Sequence, residues 1–113
     1  ATDRDRVVDL WVRERALRAF GDRLAAAGVA GEDPGALASV GKLAAAGLAR
    51  DVTRTAVEIA GAHGLTWDTD EPDGELWSRG VLYAPMLSIA GGTDQIQRTI
   101  IGERLLGLPR EPS

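Results

Sequence analysis

Apolar residues recur at three- and four-residue steps along two long segments of this 113-residue chain, and no stretch alternates apolar with polar. Such a pattern specifies packed helices and excludes a sheet. In the first segment Val7, Leu10, Trp11, Leu17, Phe20 and Leu24 form one stripe. Thr2, with Asp5 three residues on, predicts a capping box at its start, and Gly28 is the expected stop. Asp3, Arg4, Arg6, Arg13, Arg15 and Asp22 fall mostly off the stripe and read as a solvated face.

Asp33-Pro34 predicts a second helix, an N-cap followed by proline at the first helical position. Its stripe is Leu37, Val40, Ala44, Leu48, Val52, Thr55, Ala56 and Ile59. Gly41 and Gly47 interrupt it, each costing about 1 kcal/mol of helix propensity, which suggests tight crossing by a partner. The glycines of Gly61–Leu65 end this helix. Thr66 to Gly74 is a polar loop with a Pro72-Asp73-Gly74 turn. A short helix from Glu75 should bend or end at Pro85. The last helix covers roughly Asp94 to Leu106, with Ile96, Ile100, Ile101 and Leu105 inward, and Gly107 and Pro109 close it.

The expected fold is an all-α antiparallel helical bundle of four helices. Two of them would span about 35–45 Å at 1.5 Å per residue, too long for the two short ones to cover. Their apolar faces therefore call for a partner, another copy or a further part of the same protein.

Composition removes several function classes. One lysine and a net charge of −4 leave no basic footprint for nucleic acid. Without cysteine, and with His63 as the one histidine, there is no thiolate site and no histidine metal cluster. No apolar run reaches the roughly 20 residues of a bilayer span, so no membrane partner is expected. The opening ATDRDRVVDL carries no signal-peptide pattern, and the balance of residues points to the cytoplasm.

One stretch raises a question of chemistry: Gly91, Gly92 and Thr93 expose backbone at the threshold of the last helix. A helix N-terminus offers unpaired N–H groups and about half a positive charge, which suits an anion. A Gly-Gly turn with a Thr N-cap accounts for the same residues without any ligand.

GGTDQIQRTIIGERLLGLPR, with ALRAFGDRLAAAG, AVEIAGAHGL and LWSRGVLYAPMLSIAGGT in the same order, resembles the ending of bacterial acyl-CoA dehydrogenases across essentially the whole chain. That resemblance implies a three-domain, FAD-dependent enzyme. It would dehydrogenate an acyl-CoA thioester at Cα and Cβ and pass electrons to an electron-transferring flavoprotein. Residues 1–113 would be most of its C-terminal helical bundle, with the first bundle helix, the N-terminal helical domain and the middle β domain absent. By the same resemblance Thr93, Asp94 and Gln95 would contact FAD, and Gly91 and Gly92 would border the substrate. Glu58, Gly61 and Ala62 would reach the adenosine half of a FAD held mainly by a neighbouring subunit, although Glu58 stands where Gln is frequent and Ala62 where Gly is frequent. An acid beside a diphosphate is repulsive unless paired.

Some members carry their catalytic Glu directly before Gly-Thr; here Gly91-Gly92 precede Thr93, so no base stands there. Asp94 should point at backbone N–H groups at the helix start. Others place the base on the first bundle helix, and a third group are non-catalytic partner subunits. His63 reads as a surface or capping residue, and Glu103 and Arg104 as ion-pair formers along the last helix. Trp11, Trp67 and Trp77 read as core or interface residues. The chain alone is expected to be inactive, to hold no FAD, and to self-associate as a dimer or tetramer. The small surface of Gly41, Ala45 and Gly47 would admit close approach of a second copy. The rival reading is a non-catalytic helical assembly module.

Overall fold

A computed structural model describes residues 1–67, 70 and 74–110. Four α-helices follow in order: α1 Asp3–Val29, α2 Leu37–Ala60, α3 Gly74–Tyr83 and α4 Asp94–Arg104. Short 3-10 segments, Gly61–Leu65 and Ala84–Ser88, follow α2 and α3. No strand occurs among the described residues. Pro72 and Asp73 of the expected turn lie outside them.

The capping box at Thr2 forms: the Asp5 N–H donates to the Thr2 hydroxyl at 3.2 Å, and the Thr2 N–H donates back to Asp5 Oδ2 at 3.0 Å. The helix passes through Gly28 and ends at Val29, with its left-handed stop at Gly31. Gly31 takes a left-handed φ of 81°, its N–H bonds the Gly28 carbonyl, and the Glu32 N–H bonds that of Ala27. Those two bonds make a Schellman stop, which needs its glycine after the last helical residue. The start of α2 also shifts, from Pro34 to Leu37. Gly35 adopts φ 49° and its N–H donates to Asp33 Oδ1 at 2.8 Å, so Asp33 closes a turn and does not cap the helix. Pro85 does end α3, which passes into 3-10 structure at Ala84.

Helix α2 is the centre of the molecule, with α1, α3 and α4 each packed against it. Helix α1 lies antiparallel to it: Arg6 pairs with Glu58, Arg13 with Asp51 at 2.8 Å, and the Phe20 ring lies over Gly41. Part of the charged face of α1 is therefore helix interface. A Cβ on Gly41 would stand 3.2 Å from that ring, so this glycine serves packing within the chain and is not free for a second copy. Gly47 faces open space and Ala45 is exposed.

The core is small: among the described residues Ala36, Ala46, Leu48 and Ala84 are the buried apolar ones, and α1 contributes none. Trp11 and Trp67 are exposed, and Trp77 is half-buried. Ile96 and Leu105, expected inward, are 53% and 41% exposed because no described element covers their side of α4; the buried residue of that helix is Gln97. Glu103 pairs with Arg110 beyond the helix end, at 3.2 Å. The surface of 8129 Å² compares with about 5,900 Å² for a compact monomer of this mass, leaving roughly 2,200 Å² in excess. The radius of gyration, 17.3 Å, likewise exceeds the approximately 13 Å of a compact domain of this length.

Candidate functional site

The chain enters α4 through a tight reversal. The Ala90 N–H bonds the Met86 carbonyl at 2.8 Å, and the Gly92 N–H bonds that of Ile89 at 3.2 Å. Gly91 and Gly92 then take φ values of 71° and 106°, a region that side-chain-bearing residues rarely adopt. Thr93 is extended, and its hydroxyl accepts the Ile96 N–H at 3.3 Å, the expected N-cap. The Asp94 and Gln95 N–H groups have no intrahelical acceptor, because they belong to the first turn.

Three side chains brace this turn. Gln97, 6% exposed, donates from Nε2 to the Gly91 carbonyl at 3.0 Å. Lys42, from α2, donates to the Gly92 carbonyl. Arg50, two helical turns further along α2, holds Asp94 Oδ2 at 3.3 Å. The expectation that Asp94 would face backbone N–H groups is thus corrected: its carboxylate turns to a guanidinium. The other oxygen, Oδ1, is buried and has no hydrogen-bond partner among the described residues. Gln95 is exposed, and a Cβ on Gly91 would meet nothing within 4 Å. The turn is open on the Gly91 side and closed on the Gly92 side, where a Cβ would stand 2.7 Å from Gln97 Nε2.

Glu58, Gly61 and Ala62 lie at the far end of α2. Arg6 from α1 pairs with Glu58 and lies 3.5 Å from Thr55 Oγ1, so the acid is neutralised within the chain. The hydrogen bond that Arg6 donates to Glu58 in turn holds the guanidinium more firmly charged. Gly61 turns the chain at φ 59°, and Ala62 and His63 are exposed. His63 acts through its backbone: its carbonyl accepts the Thr66 hydroxyl at 2.8 Å. The two groups are separated along α2, Arg50 and Glu58 being about 12 Å apart along the helix axis. An open groove of about 460 Å³ lies between them, lined by Arg50, Arg54 and Glu58 with Val57, Val81 and Ala84. No cluster of three metal-ligating side chains occurs among the described residues, and no described helix is long and apolar enough to cross a membrane.

The family profile described as "Acyl-CoA dehydrogenase, C-terminal domain" matches residues 3–106. The chain belongs to the acyl-CoA dehydrogenase family. Among its relatives, the acyl-CoA dehydrogenase IpdE1 of Mycobacterium tuberculosis is 39% identical over 110 residues, 96% of this chain and 27% of the relative. IpdE1 of Mycolicibacterium smegmatis is 39% identical over 108 residues, 96% of this chain and 26% of the relative. The acyl-CoA dehydrogenase FadE34 of M. tuberculosis is 39% identical over 88 residues, 78% of this chain and 11% of the relative. The chain therefore spans about a quarter of the IpdE1 proteins. No solved structure gives a significant match.

Sequence patterns alone assign no role to Lys42, Arg50 or Gln97, and they place Arg6 on a solvated face. One sequence signal pointed to the first, since Lys42 is the one lysine of the chain. Gln97 lies one turn after the Thr93 cap and so on the same helix face, a polar residue where the stripe runs inward.

Proposed function

We propose that this domain works within a FAD-dependent dehydrogenase that oxidises an acyl-CoA thioester between Cα and Cβ. In this reading Thr93, Asp94 and Gln95 hold FAD, and Gly91 and Gly92 border the acyl thioester. The braced, open turn at the head of α4 carries the reading. Its residues suit such a cofactor: an exposed Gln95 amide, a Thr93 hydroxyl able to donate, uncapped N–H groups at a positive helix end, and Asp94 Oδ1 buried without a partner. FAD, when bound, accepts the electrons removed from the acyl chain, and an electron-transferring flavoprotein takes them on.

Gly91 has no side chain and Asp94 is tied to Arg50, so neither abstracts the α-proton; that carboxylate comes from chain outside these residues. Glu58, Gly61 and Ala62 contact the FAD of a neighbouring subunit, with Arg6 offsetting the charge of Glu58. The 113 residues alone neither hold FAD nor turn over substrate, because one helix end cannot offset the entropy lost on binding. The excess surface and the exposed Val7, Trp11 and Ile59 support assembly as a dimer or tetramer. A glycine at the base position also suits a non-catalytic subunit, in which the turn would hold flavin without chemistry.

The test is Thr93→Val in the flavin-loaded dehydrogenase. It removes a hydroxyl next to a charged cofactor, a hydrogen bond of about 1.5–3 kcal/mol, so FAD affinity should fall roughly ten- to a hundredfold. Unchanged affinity with lower thermal stability would reduce Thr93 to a helix cap.

A further inference from the structure

We propose that Lys42 and Gln97 are positioning residues that pre-form the Gly91–Gly92 turn for the cofactor, an inference that rests on the reading above. The turn contains two consecutive glycines at positive φ, the residue type with most conformational freedom to lose. Left alone it would sample many shapes, and any ligand would bind only the fraction that fits. Both of its carbonyls are captured, from different elements: Gln97 Nε2 of α4 takes that of Gly91, and Lys42 Nζ of α2 takes that of Gly92. The two donors draw the carbonyl edge of the turn towards the protein. Lys42 also places a positive charge against a carbonyl that would otherwise stand beside electron-rich ligand atoms.

A buried glutamine could serve packing alone, and a half-buried lysine ordinarily extends its amine to water. Here the Lys42 amine is spent on one backbone oxygen, and Gln97 stands where a Cβ on Gly92 would meet it at 2.7 Å. Each brace therefore depends on the conformation it holds. Gln97 reaches Gly91 only through its carbonyl, and the space a Gly91 side chain would fill is open, so the effect of the braces on a ligand passes through the turn.

The experiment measures FAD affinity and flavin-free thermal stability for Lys42→Met, Lys42→Arg, Gln97→Met and Thr93→Val in the dehydrogenase that carries this domain. If bracing raises the competent fraction about tenfold, Lys42→Met and Gln97→Met each weaken FAD about tenfold, while Lys42→Arg, which keeps charge and donors, stays within about threefold. Lower thermal stability with unchanged affinity in Lys42→Met and Gln97→Met, beside a weakened Thr93→Val, overturns the positioning role and leaves the cofactor reading standing. Unchanged affinity in all three removes both. Should Lys42→Met fail to fold, Lys42→Ala, which removes the donor, replaces it: weakening of about tenfold supports the brace, and wild-type affinity overturns it.

Discussion

Gly92→Ala tests the geometry of the α4 turn without any cofactor. An alanine there must adopt φ 106° or force the turn to change, at a cost of about 1–3 kcal/mol for a residue in so sparsely populated a region. Its Cβ would also stand 2.7 Å from Gln97 Nε2. That atom ends a flexible side chain, so it can move, but only by giving up its bond to the Gly91 carbonyl in a nearly closed site. An unmade buried bond costs about another 1–3 kcal/mol. Gly91→Ala is the internal control: its φ of 71° also disfavours a side chain, but nothing lies within 4 Å. It should cost only about 1–2 kcal/mol. At about 4–8 °C per kcal/mol for a domain of roughly this size, Gly91→Ala lowers the midpoint by roughly 4–16 °C and Gly92→Ala by approximately twice that or more. Far-UV circular dichroism at one fixed protein concentration reads both, and a Gln97→Ala background should abolish the excess. Equal losses for the two glycines, or an excess that survives in Gln97→Ala, would refute the clamp.

The other expectations are independent of that turn. Light scattering across a dilution series should show the 113-residue chain as a dimer or tetramer, because roughly 2,200 Å² of excess surface is more than one standard interface of about 800 Å² per partner; a helical monomer at every concentration would contradict it. Gly47→Ala should raise the midpoint by a few degrees, worth about 0.5–1 kcal/mol, since its Cβ meets nothing within the chain; a fall would mean that a second copy occupies that face. The Asp5 carboxylate, held below the ordinary range by the Thr2 N–H and then its hydroxyl, favours folding in its ionised form. The start of α1 should therefore be fully capped above about pH 4 and lose its cap as pH falls through the lowered value. Resonances of Thr2 to Arg6 followed by NMR would show this, and an ordinary titration of Asp5 would contradict it.

Features written in adjacent residues were legible in the sequence. The Thr2–Asp5 box, the Thr93 cap and the end of α2 at Gly61 depend on neighbours a few positions apart, and each forms as read. Boundaries slipped where two glycines or two polar residues compete. Gly28 fits inside α1 because nothing crowds it, leaving the left-handed stop to Gly31; Asp33 spends its side chain on Gly35. Inward positions failed where nothing covers the helix: periodicity finds the apolar face of Ile96 and Leu105 but not whether a neighbour lies over it. The braces were illegible for a different reason. Lys42 and Gly92 are 50 residues apart, as Arg6 and Glu58 are 52, and no local pattern encodes such pairs. The resemblance named the turn and the acid; only the fold supplies their partners.

Contact between FAD and the head of α4 is read from hydrogen exchange of the peptide spanning Gly91 to Gln97, in the dehydrogenase with and without FAD. The Asp94 and Gln95 N–H groups lack intrahelical acceptors, so the protein alone gives them little protection. Bound FAD should slow exchange in this peptide markedly and leave the middle of α1 unchanged. Identical exchange at Gly91 to Gln97 in the loaded and flavin-free protein would mean that FAD does not contact this helix end.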